Sequence, residues 1–388
     1  MSKKNVMIVT GEASGDLHGA NLVRALQAKG DDITFCGMGG PELESLGVDI
    51  LFDAARVAVV GIVEVFAHLK DILSAQSILK KRLVSDPPDL LIIIDLPDFN
   101  LILAKKAKRL GIPVFYYIAP QVWAWRSGRV RTIKKRVDKL GVILPFEEDF
   151  FKERGLDAEY VGHPLLDTAH VSLTKDEFFT KYEIDAGQNC IGLLPGSRKN
   201  EINTLLPRFL EAALLLEEKQ GNPNALVFLI PQASTISRRD LDEAGLKLYE
   251  DRLSIRVIGD DRYNMMSVCD GAVAASGTVT LELAIMGVPM VVVYRLAGIT
   301  YRLAKLLVKL DHFSLVNLIA GKTAVPELLQ DEVTAVNIAR ELQNLIANQP
   351  LRKKTLEDLA EVRRRLGDKG ASEKAAEVVI KLLESDRT

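Results

Sequence analysis

Short apolar runs alternate with helical periodicity along the whole chain. In the first half the runs are Val6–Val9, Ile33–Cys36, Leu90–Ile94, Val114–Ile118 and Leu140–Leu144. In the second they are Cys190–Leu194, Leu226–Ile230, Ile255–Ile258, Gly271–Ala275 and Met290–Tyr294. Most are continuous rather than alternating in polarity, the pattern of parallel strands covered on both faces. Helical patterns separate them, so the chain reads as successive βαβ units. The predicted fold class is α/β, with two doubly wound parallel sheets facing a common cleft. A length of 388 residues suits two domains. Gly and Pro punctuation at Val161-Gly162-His163-Pro164 predicts domains over 1–162 and 163–350. Past about Asp331 only helical patterns remain, and the charged stretch 351–388 is expected to pack on the first domain or on a partner subunit.

The loops that follow the strands carry the candidate chemistry. Gly11-Glu12-Ala13-Ser14-Gly15-Asp16 separates a buried strand from a helix, an arrangement that lines a polar cleft with backbone N–H groups. Its glycines do not follow G-x-G-x-x-G, so no nicotinamide or flavin site is indicated. Asp95-Leu96-Pro97-Asp98-Phe99-Asn100 ends another apolar strand. Pro97 cannot continue a central ladder, so the chain leaves the sheet there. One aspartate could cap the next helix; the functional reading makes Asp98 a general base.

In the second half, Leu194-Pro195-Gly196-Ser197-Arg198 puts small residues and a cation at a helix start. Free N–H groups, the helix dipole and Arg198 suit a diphosphate. Ser276-Gly277-Thr278 repeats the theme, and Glu282 follows Thr278 by about 6 Å along the helix axis. A carboxylate there can accept hydrogen bonds from both hydroxyls of a ribose. Ala320-Gly321-Lys322-Thr323 lacks the leading glycine of a P-loop, Asp240-Leu241-Asp242 sits in a charged surface stretch, and no His/Cys/Asp cluster has zinc spacing.

Charge and composition narrow the partners. The net charge of −2 argues against a general nucleic-acid binder. Between Lys105 and Lys139 there are nonetheless eleven Lys or Arg and one acid, Asp138, which points to a local anionic partner. The same stretch contains Tyr117-Ile118-Ala119-Pro120-Gln121-Val122-Trp123-Ala124-Trp125-Arg126, whose aromatics can stack on a sugar or sit at a membrane interface. From Gly61 to Val84, Ile62, Val65, Phe66, Leu69, Ile72, Leu73, Leu79 and Leu83 fall on one helical face flanked by Lys70, Lys80, Lys81 and Arg82. That face reads as an interfacial or acyl-binding helix, against the alternative of a core helix. The N-terminal apolar run is too short for a signal peptide and no segment reaches the ~20 apolar residues of a membrane span, so a cytoplasmic or peripherally attached protein is expected. Cys36, Cys190 and Cys269 read as small buried hydrophobes. His163 reads as a hinge or cleft-lining residue, and His18 as either structural or cleft-lining.

Taken together, Gly11 to Asp16, Asp95 to Asn100, Pro120 to Arg126, Leu194 to Arg198 and Ser276 to Glu282 resemble the lipid-A-disaccharide synthase family over essentially the whole chain. The resemblance implies a GT-B glycosyltransferase with two Rossmann-like domains that works by inversion, without cofactor or metal. It implies transfer of 2,3-diacylglucosamine from UDP-2,3-diacylglucosamine to 2,3-diacylglucosamine 1-phosphate (lipid X) at the inner face of the inner membrane. Asp98 would then be the base, with Asp95 and Glu12 as lesser candidates. Arg198 would stabilise the departing UDP, which Gly196, Ser197, Gln232, Ser276, Gly277, Thr278, Glu282 and Asn317 would help to hold. Glu12, Ser14, Gly15, Asp16, Asp95, Asn100, Trp125, Arg126 and Arg129 would line the acceptor side, with Arg131 a further candidate for its phosphate. Val65, Phe66, Leu69, Ile72 and Leu73 would meet acyl chains or an anionic membrane surface. A homodimer is compatible with the C-terminal helices. A GT-B-like epimerase, a transferase with a soluble acceptor, and a non-catalytic nucleotide-sugar or lipid-binding protein are the alternatives.

Overall fold

The structure, a computed structural model, describes residues 3–30, 32–57, 69–125, 127–220, 225–295 and 312–384. The chain divides into two compact units, Met1–Asp167 with Asp368–Thr388, and Thr168–Gly367. The first is built on a parallel sheet of β1 (Lys4–Val9), β2 (Ile33–Gly39), β3 (Asp49–Asp53), β4 (Leu90–Ile94), β5 (Val114–Tyr117), β6 (Lys139–Val142) and β7 (Ala158–Tyr160), in the order β3-β2-β1-β4-β5-β6-β7. The second holds β8 (Asn189–Leu194), β9 (Leu226–Pro231), β10 (Ile255–Ile258), β11 (Gly271–Ala275), β12 (Met290–Tyr294) and β13 (Glu327–Leu329), also parallel, in the order β10-β9-β8-β11-β12-β13.

The continuous apolar runs have a direct cause. In the first sheet Val6, Ile8, Leu90, Ile92 and Ile94 enter one core, together with Leu22, Val23 and Leu26 of helix Ala13–Ala28. Met7, Val9, Leu91 and Ile93 enter the core on the opposite face, with Leu79, Leu83, Leu103 and Ala104 from helices Leu69–Ser85 and Pro97–Arg109. Both faces are dry, so both parities must be apolar.

The sequence-based division at 162 and 350 differs from these units at both ends. Asp167 stays in the first unit because its carboxylate accepts from the N–H groups of Gly370 (2.7 Å) and Ala371 (3.1 Å), fixing the start of helix Ala371–Glu384. That helix packs Ala375, Ala376, Val378 and Val379 into the first unit. Helix Gln349–Arg365 belongs to the second unit, where Arg365 donates to the carbonyls of Ile319 and Ala320. Gly367 and Gly370, both at positive φ, separate the two helices.

Helix Leu69–Ser85 does not present one apolar face to the outside. Ala75, Leu79 and Leu83 are buried in the core, and Ile72 packs against it. Leu69 and Leu73, in the first turns, are 43% and 60% exposed. Val65 and Phe66 lie outside the described residues. Among the described residues no helix is long and apolar enough to cross a membrane.

The first sheet delivers its chemistry through a strained corner. After β4 the chain turns through Asp95 (φ 53°) and Leu96 (φ 37°), two consecutive left-handed residues that are not glycine. Each costs roughly 1–2 kcal/mol. The corner is pinned by Asn100, whose Nδ2 donates to the carbonyls of Ile94 (2.9 Å) and Asp95 (2.8 Å), and by the Tyr116 hydroxyl, which also donates to the Asp95 carbonyl (2.8 Å). The loop after β1 fits against it because it is glycine-rich. A side chain at Gly11 would collide with Leu96, and one at Gly15 would place its Cβ 2.6 Å from an Asp95 carboxylate oxygen.

Burial raises the Asp95 carboxyl to about 6, and the charge of Glu12 adds to the rise. The folded chain therefore binds this proton more tightly than the unfolded chain. Its stabilising contribution is full below the ordinary carboxyl range and is lost as pH rises through about 6. Asp95→Asn is expected to stabilise the fold at neutral pH by up to about 3 kcal/mol, with the gain disappearing below about pH 4. Denaturant unfolding of both proteins across this range checks the sign.

Candidate active site

In each sheet the strand order reverses beside the first strand, and parallel sheets open a crevice at that point, outside the carboxyl ends. In the first unit the crevice lies between β1 and β4, in the second between β8 and β11. These are the ends from which the glycine-rich loops and the Asp95 corner emerge.

In the first unit, Glu12 and Ser14 are exposed at the start of helix Ala13–Ala28, and Gly15 is buried under the Asp95 corner. Asp16 is buried, and its carboxylate accepts from the N–H groups of Gly40 (2.7 Å), Glu42 (2.9 Å) and Leu43 (3.4 Å). It holds the turn after β2 in place. Asn100 is likewise inside the fold and spent on the corner. Asp98 stands in the first turn of helix Pro97–Arg109 with a side chain 80% exposed, paired with Arg129.

The segment carrying Arg129 is anchored by Glu147, which is not among the expected site residues. Glu147 is buried and accepts from Trp123 Nε1 (2.9 Å) and from the N–H groups of Leu144 (3.0 Å) and Ile143 (3.3 Å). Burial lifts its carboxyl to about 7 despite these three bonds. Trp123 also meets Phe146 edge-on at 5.0 Å. Trp123 is therefore fixed to the end of β6. Arg126 and the side chain of Trp125 lie outside the described residues.

The basic run is not one patch. Lys105, Lys106, Lys108 and Arg109 end a helix that runs back to the amino edge of the sheet, whereas Arg129 and Arg131 follow the carboxyl end of β5. Lys108 pairs with Asp138, and Lys139 with Asp157 and Glu159. His163 is buried, its Nδ1 accepts from the Leu165 N–H (3.2 Å), and burial helped by His18 lowers it to about 4. It is a neutral structural group.

In the second unit, Gly196 takes φ 113° after β8 and opens the turn into helix Lys199–Gln220. The Glu201 carboxylate lies in the concavity that a Gly196 side chain would fill. It accepts from the N–H groups of Ser197 (3.0 Å) and Arg198 (3.3 Å), and the Arg198 guanidinium lies 3.4 Å away. An anion thus already occupies the two donors of this loop, and Arg198 is exposed beside it. At the neighbouring strand, Gly277 and Thr278 are exposed at the start of helix Thr278–Ile285, and Ser276 is half-buried. Glu282 is buried one turn further, where Arg262 and Tyr263 engage it at 2.9 and 3.1 Å. Arg262 and Tyr263, which lie beyond β10, are not among the residues expected from the chain's motifs.

Two other expected donor residues are taken up by the backbone. Asn317 is buried; its Nδ2 donates to the Val325 carbonyl (2.9 Å), and its Oδ1 accepts from the N–H groups of Ala324 (2.8 Å) and Val325 (3.0 Å). Gln232 Nε2 donates to the Ile236 carbonyl (2.8 Å). Among the described residues no three His, Cys, Asp or Glu side chains gather as a metal site.

A family model described as lipid-A-disaccharide synthetase matches residues 6–382. The lipid-A-disaccharide synthase of Trichlorobacter lovleyi is 47% identical over 98% of this chain and 98% of its own. The fold is shared with UDP-GlcNAc 2-epimerase from Neisseria meningitidis, solved bound to UDP-GlcNAc (TM-score 0.68, 15% identity, 97% of this chain and 100% of that one). It is equally shared with the glycotransferase of kitacinnamycin (TM-score 0.68, 16% identity, 99% and 100%). The fold alone does not separate an epimerase from a transferase; the sequence relatives do. With a GT-B fold, a UDP-sugar donor and a lipid acceptor, the chain belongs to the lipid-A-disaccharide synthase family of glycosyltransferases.

Proposed function

We propose that the chain transfers 2,3-diacylglucosamine from UDP-2,3-diacylglucosamine to the 6-hydroxyl of 2,3-diacylglucosamine 1-phosphate with inversion. The products are a β-1,6-linked tetraacyl disaccharide 1-phosphate and UDP. The observation that supports this reading is the complementary chemistry of the two crevices. The first carries Asp98, Asp95, Glu12 and Arg129; the second carries N–H donors, hydroxyls and Arg198.

In this reading Asp98 takes the proton of the 6-hydroxyl, and the oxygen forms a bond to the anomeric carbon. The bond from that carbon to the diphosphate breaks on the opposite face. UDP leaves as an anion held by Arg198, by the N–H groups now engaged by Glu201, and by Ser276, Gly277 and Thr278. No metal is required for that charge, because a guanidinium and two helix starts supply it. Glu282 holds the ribose. Arg129, beside Asp98, takes the acceptor phosphate together with Arg131. Asp95 is the second candidate for the base, since a carboxyl near 6 suits proton abstraction at neutral pH. The exposed Leu69 and Leu73 touch acyl chains or lipid while the chain is attached to the cytoplasmic face of the inner membrane.

Asp98→Asn is expected to lower turnover by about 10²–10⁴-fold with UDP affinity unchanged. If turnover survives in that variant and falls in Asp95→Asn, Asp95 is the base. Arg198→Ala is expected to weaken UDP binding by about tenfold or more, read by calorimetry and equally in EDTA; unchanged affinity would place the diphosphate elsewhere. Replacing Leu69 and Leu73 together by serine is expected to reduce sedimentation with anionic vesicles while leaving the melting temperature in place. Undiminished sedimentation would remove this face from the membrane.

A further inference from the structure

Glu282 has a carboxylate with almost no access to water. A lone carboxylate in such a place favours its neutral form, and burial does push this group upward. The neutral form holds a hydroxyl hydrogen bond more weakly than the anion does. Two neighbours from the helix Arg262–Ser267 act against neutralisation. The Arg262 guanidinium lies 2.9 Å from Oε1, and the Tyr263 hydroxyl donates to the same oxygen at 3.1 Å. Arg262 also donates to the Tyr263 hydroxyl at 2.6 Å and lies 4.6 Å from the centroid of its ring. The three side chains form a closed triangle. Both contacts to Glu282 fall on Oε1.

Among the described residues, two charges of the helix packed against that of Glu282 are engaged elsewhere. Helix Gln349–Arg365 lies on helix Thr278–Ile285, yet its Arg352 donates to the Asp270 carbonyl and its Asp358 pairs with Lys322. Arg262 and Tyr263 are the groups that act on Glu282.

We propose that Arg262 and Tyr263 are positioning residues that keep Glu282 anionic and its second oxygen available to a ribose diol, and thereby set selectivity for a ribonucleotide over its 2′-deoxy form. This rests on the reading that Glu282 holds the ribose. A buried acceptor left without its hydroxyl disfavours the deoxy ligand, and the disfavour is larger when the acceptor is charged.

The test is calorimetric titration of the full-length chain with UDP and with 2′-deoxy-UDP, between about pH 6 and pH 9. The wild type is expected to prefer UDP by about tenfold or more across the range. Arg262→Leu is expected to lose that preference at the acidic end and regain it as pH rises, because Glu282 then ionises later. Arg262→Lys restores the charge and with it a flat profile. A wild-type preference at every pH in Arg262→Leu would overturn the proposal. Should Arg262→Leu fail to fold, Tyr263→Phe decides: it removes a hydrogen bond that favours the anion, so a preference reduced most at the acidic end supports the triangle and an unchanged one contradicts it. Glu282→Gln separates the two levels. If it binds both ligands as the wild type does, the ribose contact itself is wrong.

Discussion

Everything chemical in this chain depends on a topological constraint of parallel sheets. Once strands are added on both sides of a central strand, the connections on either side diverge and leave an unfilled crevice at the carboxyl edge. The chain meets this constraint twice, between β1 and β4 and between β8 and β11. Each crevice is flanked by a loop that is short and poor in side-chain volume, so the backbone itself forms the walls. The two crevices then differ only in what the next few residues supply. Carboxylates follow β4, and a guanidinium with hydroxyls and N–H groups follows β8 and β11.

The first crevice is held open against a cost. Two left-handed residues in succession after β4 are unfavourable, and a buried carboxyl among them adds to the cost. Asn100 and Tyr116 offset the backbone part by supplying donors to carbonyls that the turn would leave bare. Gly11 and Gly15 are needed because the corner occupies the space their side chains would take. Two stretches that look like independent loop signatures are therefore halves of one packed feature. The second crevice carries a different tension, since Glu201 already satisfies the loop donors that an anionic ligand would use.

Much of the fold was legible because both faces of each sheet are dry. All ten apolar runs became strands, and the three further strands seen among the described residues, β3, β7 and β13, are all at sheet edges. An edge strand pairs on one side only and needs no long apolar run, and Ala158-Glu159-Tyr160 has none. The site was legible in its loops and less so in its polar side chains. Asp16, Asn100 and Asn317 look like ligand-facing groups in sequence, but each is consumed by backbone groups far from it along the chain or across a turn. Glu147 and Arg262 were not singled out because their partners, Trp123 and Glu282, are about two dozen residues away and meet them only in the folded unit. The basic run misled for the same reason: neighbours in sequence sit at opposite edges of the sheet.

In the proposed reaction a carboxylate of the first unit activates a lipid alcohol against a sugar whose nucleotide is gripped by the second. The product decides whether it does. The purified chain, given UDP-2,3-diacylglucosamine and 2,3-diacylglucosamine 1-phosphate, should release one UDP for each disaccharide formed. The proton–proton coupling at the new anomeric centre should report a β-1,6 linkage. UDP release without disaccharide, an α linkage, or a sugar nucleotide returned as its epimer would rule this reaction out.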